Sequence, residues 1–146
     1  KSPHFLEGVD SYAFTDLEDW KWWKTRAGYK FEKTRLYQFQ YKNLHRFFNR
    51  EDWGISHSCH LNEPFGYSIF QALDYGKLPI LQKDWLSNYE YPFRAFNKKE
   101  FDEQLHNISE LSEKERQDYL DGLRDYCRKY DYKDEWIERY LEIYND

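Results

Sequence analysis

The chain contains no methionine in 146 residues, only two cysteines and only four prolines. Cys59 and Cys127 show neither the density of a disulfide framework nor metal-ligand spacing, so reduced thiols in a cytoplasmic protein are the default expectation. No apolar run approaches the roughly 20 residues that a bilayer-spanning helix needs, and no signal-peptide pattern is visible. A basic surplus is missing too. With 27 acidic against 22 basic side chains the net charge is −5, and the acids are spread along the chain. That argues against nucleic acid as the main partner. There is no P-loop, no GxGxxG and no Ser–His–Asp spacing. The lack of methionine extends to position 1, which is lysine. The expectation is a piece of a longer polypeptide, one domain in size and able to bury a core.

Aromatics are abundant instead, at 21%, with 14 Tyr, 11 Phe and 6 Trp. Their plainest role is to replace aliphatic residues in the core, ahead of any carbohydrate platform. Element by element, Thr15-Asp-Leu-Glu18 reads as a capping box, with Leu17, Trp20, Trp23 and Ala27 at helical spacing after it. Arg35–Gln40 alternates as a strand, Asn43–Arg50 reads as a short helix, and Ile55–Leu61 is strand-like. Phe65–Tyr75 is amphipathic and stops at Gly76, before a buried strand at Leu78–Leu81. Tyr91–Phe96 reads as a further strand and Lys98–His106 as a helix. Ser112-Glu-Lys-Glu115 is a second capping box, followed by Tyr119, Leu120, Leu123, Tyr126, Cys127 and Tyr130 on one helical face. A last helix carries Trp136, Ile137, Tyr140, Leu141 and Tyr144. Alternating strands and helices predict a doubly wound α/β domain with a helical C-terminal end. Residues 35–96 are expected to form one parallel sheet.

Chemistry concentrates in Glu63-Pro-Phe-Gly-Tyr-Ser-Ile-Phe-Gln-Ala-Leu-Asp-Tyr-Gly-Lys-Leu-Pro-Ile80. A helix that starts at Gly66 points its free N–H groups and positive dipole end toward the preceding turn, which suits a phosphate. Glu63, just ahead, is placed to accept hydrogen bonds from hydroxyls. The combination fits a phosphorylated, hydroxyl-rich ligand such as a nucleotide-sugar. Lys77 reads as a solvated residue after the helix. The His57-Ser-Cys59-His60 cluster does not read as a metal site, because on a strand residues 57 and 59 face one side and 60 the other.

This stretch resembles the donor-binding motif of retaining GT-B glycosyltransferases, the group that includes glycogen and sucrose synthases. In that family a Glu and a Gly-Phe-Gly-like turn lead into a helix with a second Glu, then a small-Gly-x-Pro turn and a buried strand. Here Glu63, Pro64-Phe65-Gly66, Ala72-Leu73 and Gly76-Lys77-Leu78-Pro79-Ile80 follow in that order. The sequence departs at Gln71, where the family usually has the second Glu. Tyr130-Asp-Tyr132 and Tyr140-Leu-Glu-Ile-Tyr144 are similar to the family's closing helices, and Lys1-Ser-Pro-His-Phe-Leu6 to the end of its first phosphate-binding element.

The resemblance implies a Rossmann-like parallel sheet with helices on both faces. Residues 1–146 would be the single C-terminal, donor-binding domain, with the N-terminal acceptor domain of the same polypeptide absent. It implies transfer of a sugar from a nucleoside diphosphate donor to an unknown acceptor, with retention, and no metal or cofactor, so this piece alone should be inactive. Glu63 would be the catalytic carboxylate that holds the sugar hydroxyls. The amides of Phe65, Gly66, Tyr67 and Ser68 would hold the phosphate end, Gln71 the ribose and Lys1 the diphosphate. Two rivals stay open: a non-catalytic GT-B-like binding or assembly module, and an unrelated α/β enzyme that binds a different phosphorylated ligand.

Overall fold

The computed structural model describes residues 3–15, 17–38, 55–57, 67–82 and 85–128. They form a mixed α/β structure in which every strand pair is parallel. A 3-10 turn at Pro3–Leu6 precedes β1 (Ser11–Thr15), α1 (Leu17–Thr25) and β2 (Thr34–Gln38). Tyr12 lies opposite Arg35 and Ala13 opposite Leu36. The strand period of two buries Ala13 and Thr15 and leaves Tyr12, on the other face, half exposed. Trp20 of α1 stacks on Phe31 with ring centroids 4.3 Å apart. With Ala13 they make a small core edged by Leu6, Trp23, Tyr29 and Leu36.

This unit corrects one expectation. Thr15 does not cap α1: it is the last residue of β1, and the helix begins at Leu17. The alternation Ser-Tyr-Ala-Phe-Thr, overlooked as a strand, takes Thr15 into the sheet. Its buried Oγ1 has no hydrogen-bond partner among the described residues.

The second sheet has the order β3-β4-β5, built from β3 (Ile55–His57), β4 (Leu78–Gln82) and β5 (Arg94–Ala95), with α2 (Tyr67–Asp74) between β3 and β4. The single sheet expected over 35–96 is therefore not what the described residues show. β2 pairs with β1, and the described strands fall into two sheets. Tyr91–Phe96 also pairs over less than its expected length, at Arg94 and Ala95 only. Pro92 has no N–H to give a ladder, and its carbonyl is taken by the Arg94 amide at 3.0 Å.

Pro79 sits in the middle strand, where proline is normally excluded. The register explains it. Leu81 N–H donates to Phe93 O, so residues 79 and 81 turn their polar groups toward β5, which begins pairing only at Leu81. Among the described residues no strand carbonyl opposite Pro79 awaits a donor. The Pro79 carbonyl instead accepts from the buried Tyr91 hydroxyl at 2.7 Å. Burial, more than the neighbouring Tyr89, pushes the Tyr91 phenol far above its ordinary pKa, so it remains a donor. Tyr91→Phe should cost about 1–3 kcal/mol, the penalty for leaving a buried carbonyl unpaired. A urea titration checks this, and a loss below about 0.5 kcal/mol would remove the bond's structural role.

Two helices close the described chain. Asn97 caps α3 (Lys98–Ser109): its side chain accepts from Glu100 N at 2.9 Å, and Glu100 accepts from Phe96 N at 2.7 Å. The helix runs three residues beyond its expected end, because Ile108 is fully buried and extends the apolar face. Ser112 and Glu115 form the expected capping box of α4 (Glu113–Arg128), with Ser112 N donating to Glu115 at 2.8 Å. Hydrogen bonds from the Ser112 hydroxyl and amide hold the Glu115 carboxyl below its usual range. That contribution is present above the unfolded-state pKa and is lost as pH falls through the folded one.

The main core joins Leu73, Leu78, Ile80, Leu81, Phe101, Ile108, Leu120 and Leu123. Phe5 stacks on Phe101 at 5.4 Å and ties the N-terminal turn to α3. Inside α4, Gly122 makes room for a close neighbour. A Cβ there would lie 2.8 Å from the Tyr89 hydroxyl. Among the described residues no helix is long and apolar enough to cross a membrane.

Candidate functional site

α2 places the site. Its last turn closes tightly, with Gly76 N donating to Leu73 O at 2.9 Å and Lys77 N to Ala72 O at 2.9 Å. Gly76 takes φ +72°, the left-handed stop that glycine adopts without a Cβ penalty. The chain then enters β4 directly at Leu78. The carboxyl end of α2 therefore stands at the amino end of β4. The helix runs back along the sheet, and its first residue, Tyr67, stands toward the strands' carboxyl edge. In parallel α/β sheets that is the edge that binds ligands. The first amides of an α-helix have no acceptor within the helix, and Tyr67 and Ser68 belong to that turn.

The tight closure also corrects Lys77. It is 8% exposed and not solvated, because the turn carries it straight from the helix end beneath the surface into β4. From the far side Arg124 of α4 donates to the Leu73 carbonyl through Nε at 3.0 Å and through Nη2 at 2.5 Å. A cation at a helix C-terminus complements the dipole there.

A second element meets α2 at the carboxyl edge. Gln82, the last residue of β4, accepts from Trp85 N at 3.2 Å, which starts a turn over Trp85–Tyr89 closed by Tyr89 N to Leu86 O at 2.9 Å. The Trp85 ring packs edge-on against Phe70, the fourth residue of α2, at 5.8 Å. Arg94 fills the turn from beneath. Its Nε donates to Tyr91 O at 3.1 Å, Nη1 to Gln82 O at 3.1 Å and to Trp85 O, and Nη2 to Leu86 O at 2.9 Å and Tyr89 O at 3.0 Å. All five guanidinium N–H groups are thereby engaged by main-chain carbonyls. Leu86 adopts φ +50°, the one non-glycine residue with positive φ among those described.

Of the residues expected to form the site, Tyr67, Ser68 and Gln71 lie on α2, the first two in its opening turn and Gln71 one turn further on. Lys1, Glu63, Phe65 and Gly66 lie outside the described residues, as do Cys59 and His60, the helix expected at Asn43–Arg50 and everything after Arg128. Among the described residues no group of three His, Cys, Asp or Glu side chains could hold a metal ion. Sequence reasoning missed Arg94. The signal was a single arginine inside the otherwise apolar run Tyr91-Pro-Phe-Arg-Ala-Phe96, where an unpaired charge would be costly. Comparison with protein-family models, with curated proteins and with solved structures finds no match for this chain.

Proposed function

We propose that the chain is the nucleotide-sugar-binding half of a retaining GT-B glycosyltransferase. The observation that carries this reading is the β3–α2–β4 unit. Two strands run parallel, and the helix carrying the motif's Tyr67, Ser68 and Gln71 opens toward their carboxyl edge. The Gly76 stop and the fully buried Leu78, Pro79 and Ile80 parallel the motif's glycine turn and buried strand, although Tyr75 stands where the motif has a small residue and two residues, not one, separate Gly76 from Pro79. In this reading the two βαβ units belong to one Rossmann-like domain, and a cleft faces an acceptor domain at the edge where α2 opens. The helix amides and dipole stabilise the leaving diphosphate without a metal, Glu63 holds the sugar hydroxyls, and Gln71 offers one neutral hydrogen bond to the ribose. Because the acceptor must be held against the donor for transfer, the chain alone binds donor and transfers nothing beyond slow hydrolysis.

Calorimetry with a panel of nucleoside diphosphates and their sugars tests the reading. At least one nucleotide-sugar should bind. Glu63→Ala should weaken it by roughly 1.5–3 kcal/mol, the size of a charged hydrogen bond, while the matching nucleoside diphosphate binds nearly as before. No binding by the wild-type chain across the panel removes the nucleotide-sugar reading. Unchanged affinity in the variant removes Glu63 from the site.

A further inference from the structure

We infer that Arg94 is a positioning residue for the donor: it fixes the Trp85–Tyr89 turn as a wall of the site, and the turn's tip, Ser87 and Asn88, contacts the bound nucleotide-sugar. The inference rests on the nucleotide-sugar reading above.

The turn is far more rigidly held than a surface connection needs to be. Arg94 gathers the carbonyls of Gln82, Trp85, Leu86, Tyr89 and Tyr91 around one planar fork. A lysine has three donors on a flexible stem and cannot hold five carbonyls in that plane. Leu86 keeps a left-handed backbone that a non-glycine residue rarely adopts, and the surrounding bonds hold it there. Drawing these carbonyls toward the guanidinium leaves Ser87 and Asn88 exposed at the tip. A hydroxyl and a carboxamide both donate and accept, which suits a ligand rich in hydroxyls.

Position supplies the rest. The turn leaves β4 at its carboxyl end, and Trp85 rests on Phe70 in the first half of α2, so the turn and the opening of α2 share one edge of the sheet. A wall fixed before the ligand arrives loses less freedom on binding, which raises affinity without any added contact.

Arg124 provides a matched control. It too ties main chain from an adjoining element, but at the opposite end of α2. Arg94→Lys, Arg124→Lys and Ser87→Trp are compared with wild type by calorimetry, using the tightest nucleotide-sugar of the panel at a temperature where every variant is folded. Arg94→Lys and Ser87→Trp should each weaken binding at least tenfold, and Arg124→Lys less than threefold. Ser87→Trp, at an exposed tip, should leave the melting temperature unchanged, so its effect is read free of folding. If wild type binds and both turn variants bind like it, the inference falls and the function stands. Equal losses in Arg94→Lys and Arg124→Lys, with Ser87→Trp unaffected, would make Arg94 purely structural and overturn the inference. A wild-type chain that binds no member of the panel overturns both.

Discussion

Ile80→Ala is expected to lower the unfolding free energy by about 2–5 kcal/mol, a large share of the roughly 5–15 kcal/mol that holds an ordinary domain. Ile80 has no solvent exposure and lies on β4, the middle strand of its sheet. Three buried carbons are removed, worth about 0.8 kcal/mol each by transfer. The cavity left behind adds to that, because the flanking groups Leu78 and Leu81 sit on the same strand and can close in only by bending it. Leu17→Ala on α1, where the side chain is 50% exposed, is the comparison and should cost far less. Urea unfolding of both variants measures the difference. A loss below about 1 kcal/mol for Ile80→Ala would mean that β4 does not run through the core.

A second substantial loss of stability is expected at Arg124. Removing it takes charge-assisted bonds from the Leu73 carbonyl, a class worth about 1.5–3 kcal/mol. The carbonyl keeps its bond from Gly76 N, so it is not orphaned, and Arg124→Ala should fall in the lower half of that range. The ion pair with Asp121 adds little: it spans 3.5 Å and its carboxylate side chain is 58% exposed. Arg128 isolates that component. It pairs with Asp125 at 3.1 Å in the last turn of α4, away from α2, and its side chain is 78% exposed. Arg128→Ala should therefore change stability by well under 1 kcal/mol. Equal losses at the two positions would show that the cap on α2 contributes nothing.

The motif's own elements were the most legible in the sequence. Tyr67–Asp74, the Gly76 stop and the strand from Leu78 follow from local rules: an amphipathic helical period, a glycine at the left-handed position and a short apolar run. The Ser112 box and the Leu120, Leu123 and Cys127 face were legible for the same reason. What was not legible depends on partners distant in sequence. Thr15 carries a cap signature, yet pairing with Gln38 draws it into β1. Which sheet β2 joins is a matter of register between chains of atoms far apart, and no periodicity within Thr34–Gln38 encodes it. Lys77 has the composition of a surface residue, and only the closure of α2 buries it. For the site, the opening of α2 was readable. The turn beside it was not: Arg94 in its apolar run signals a charge that needs partners, but the five main-chain carbonyls that supply them leave no mark in the sequence.

Gly122 gives the Trp85–Tyr89 turn a remote handle. Glycine within a helix sacrifices about 1 kcal/mol relative to alanine, and here the Tyr89 hydroxyl stands only 2.8 Å from where the missing methyl would be. Tyr89 in turn packs at a tilt against Tyr126 of the same helix, ring centroids 4.5 Å apart, and its carbonyl is gripped by Arg94. Helix and turn are thus geared together through one aromatic ring. A methyl added at 122 acts as a wedge: it strengthens α4 and at the same time pushes on a ring whose backbone is anchored in the Trp85–Tyr89 turn. The Trp85–Tyr89 turn can thus be retuned from within α4, by a residue that is no part of the turn.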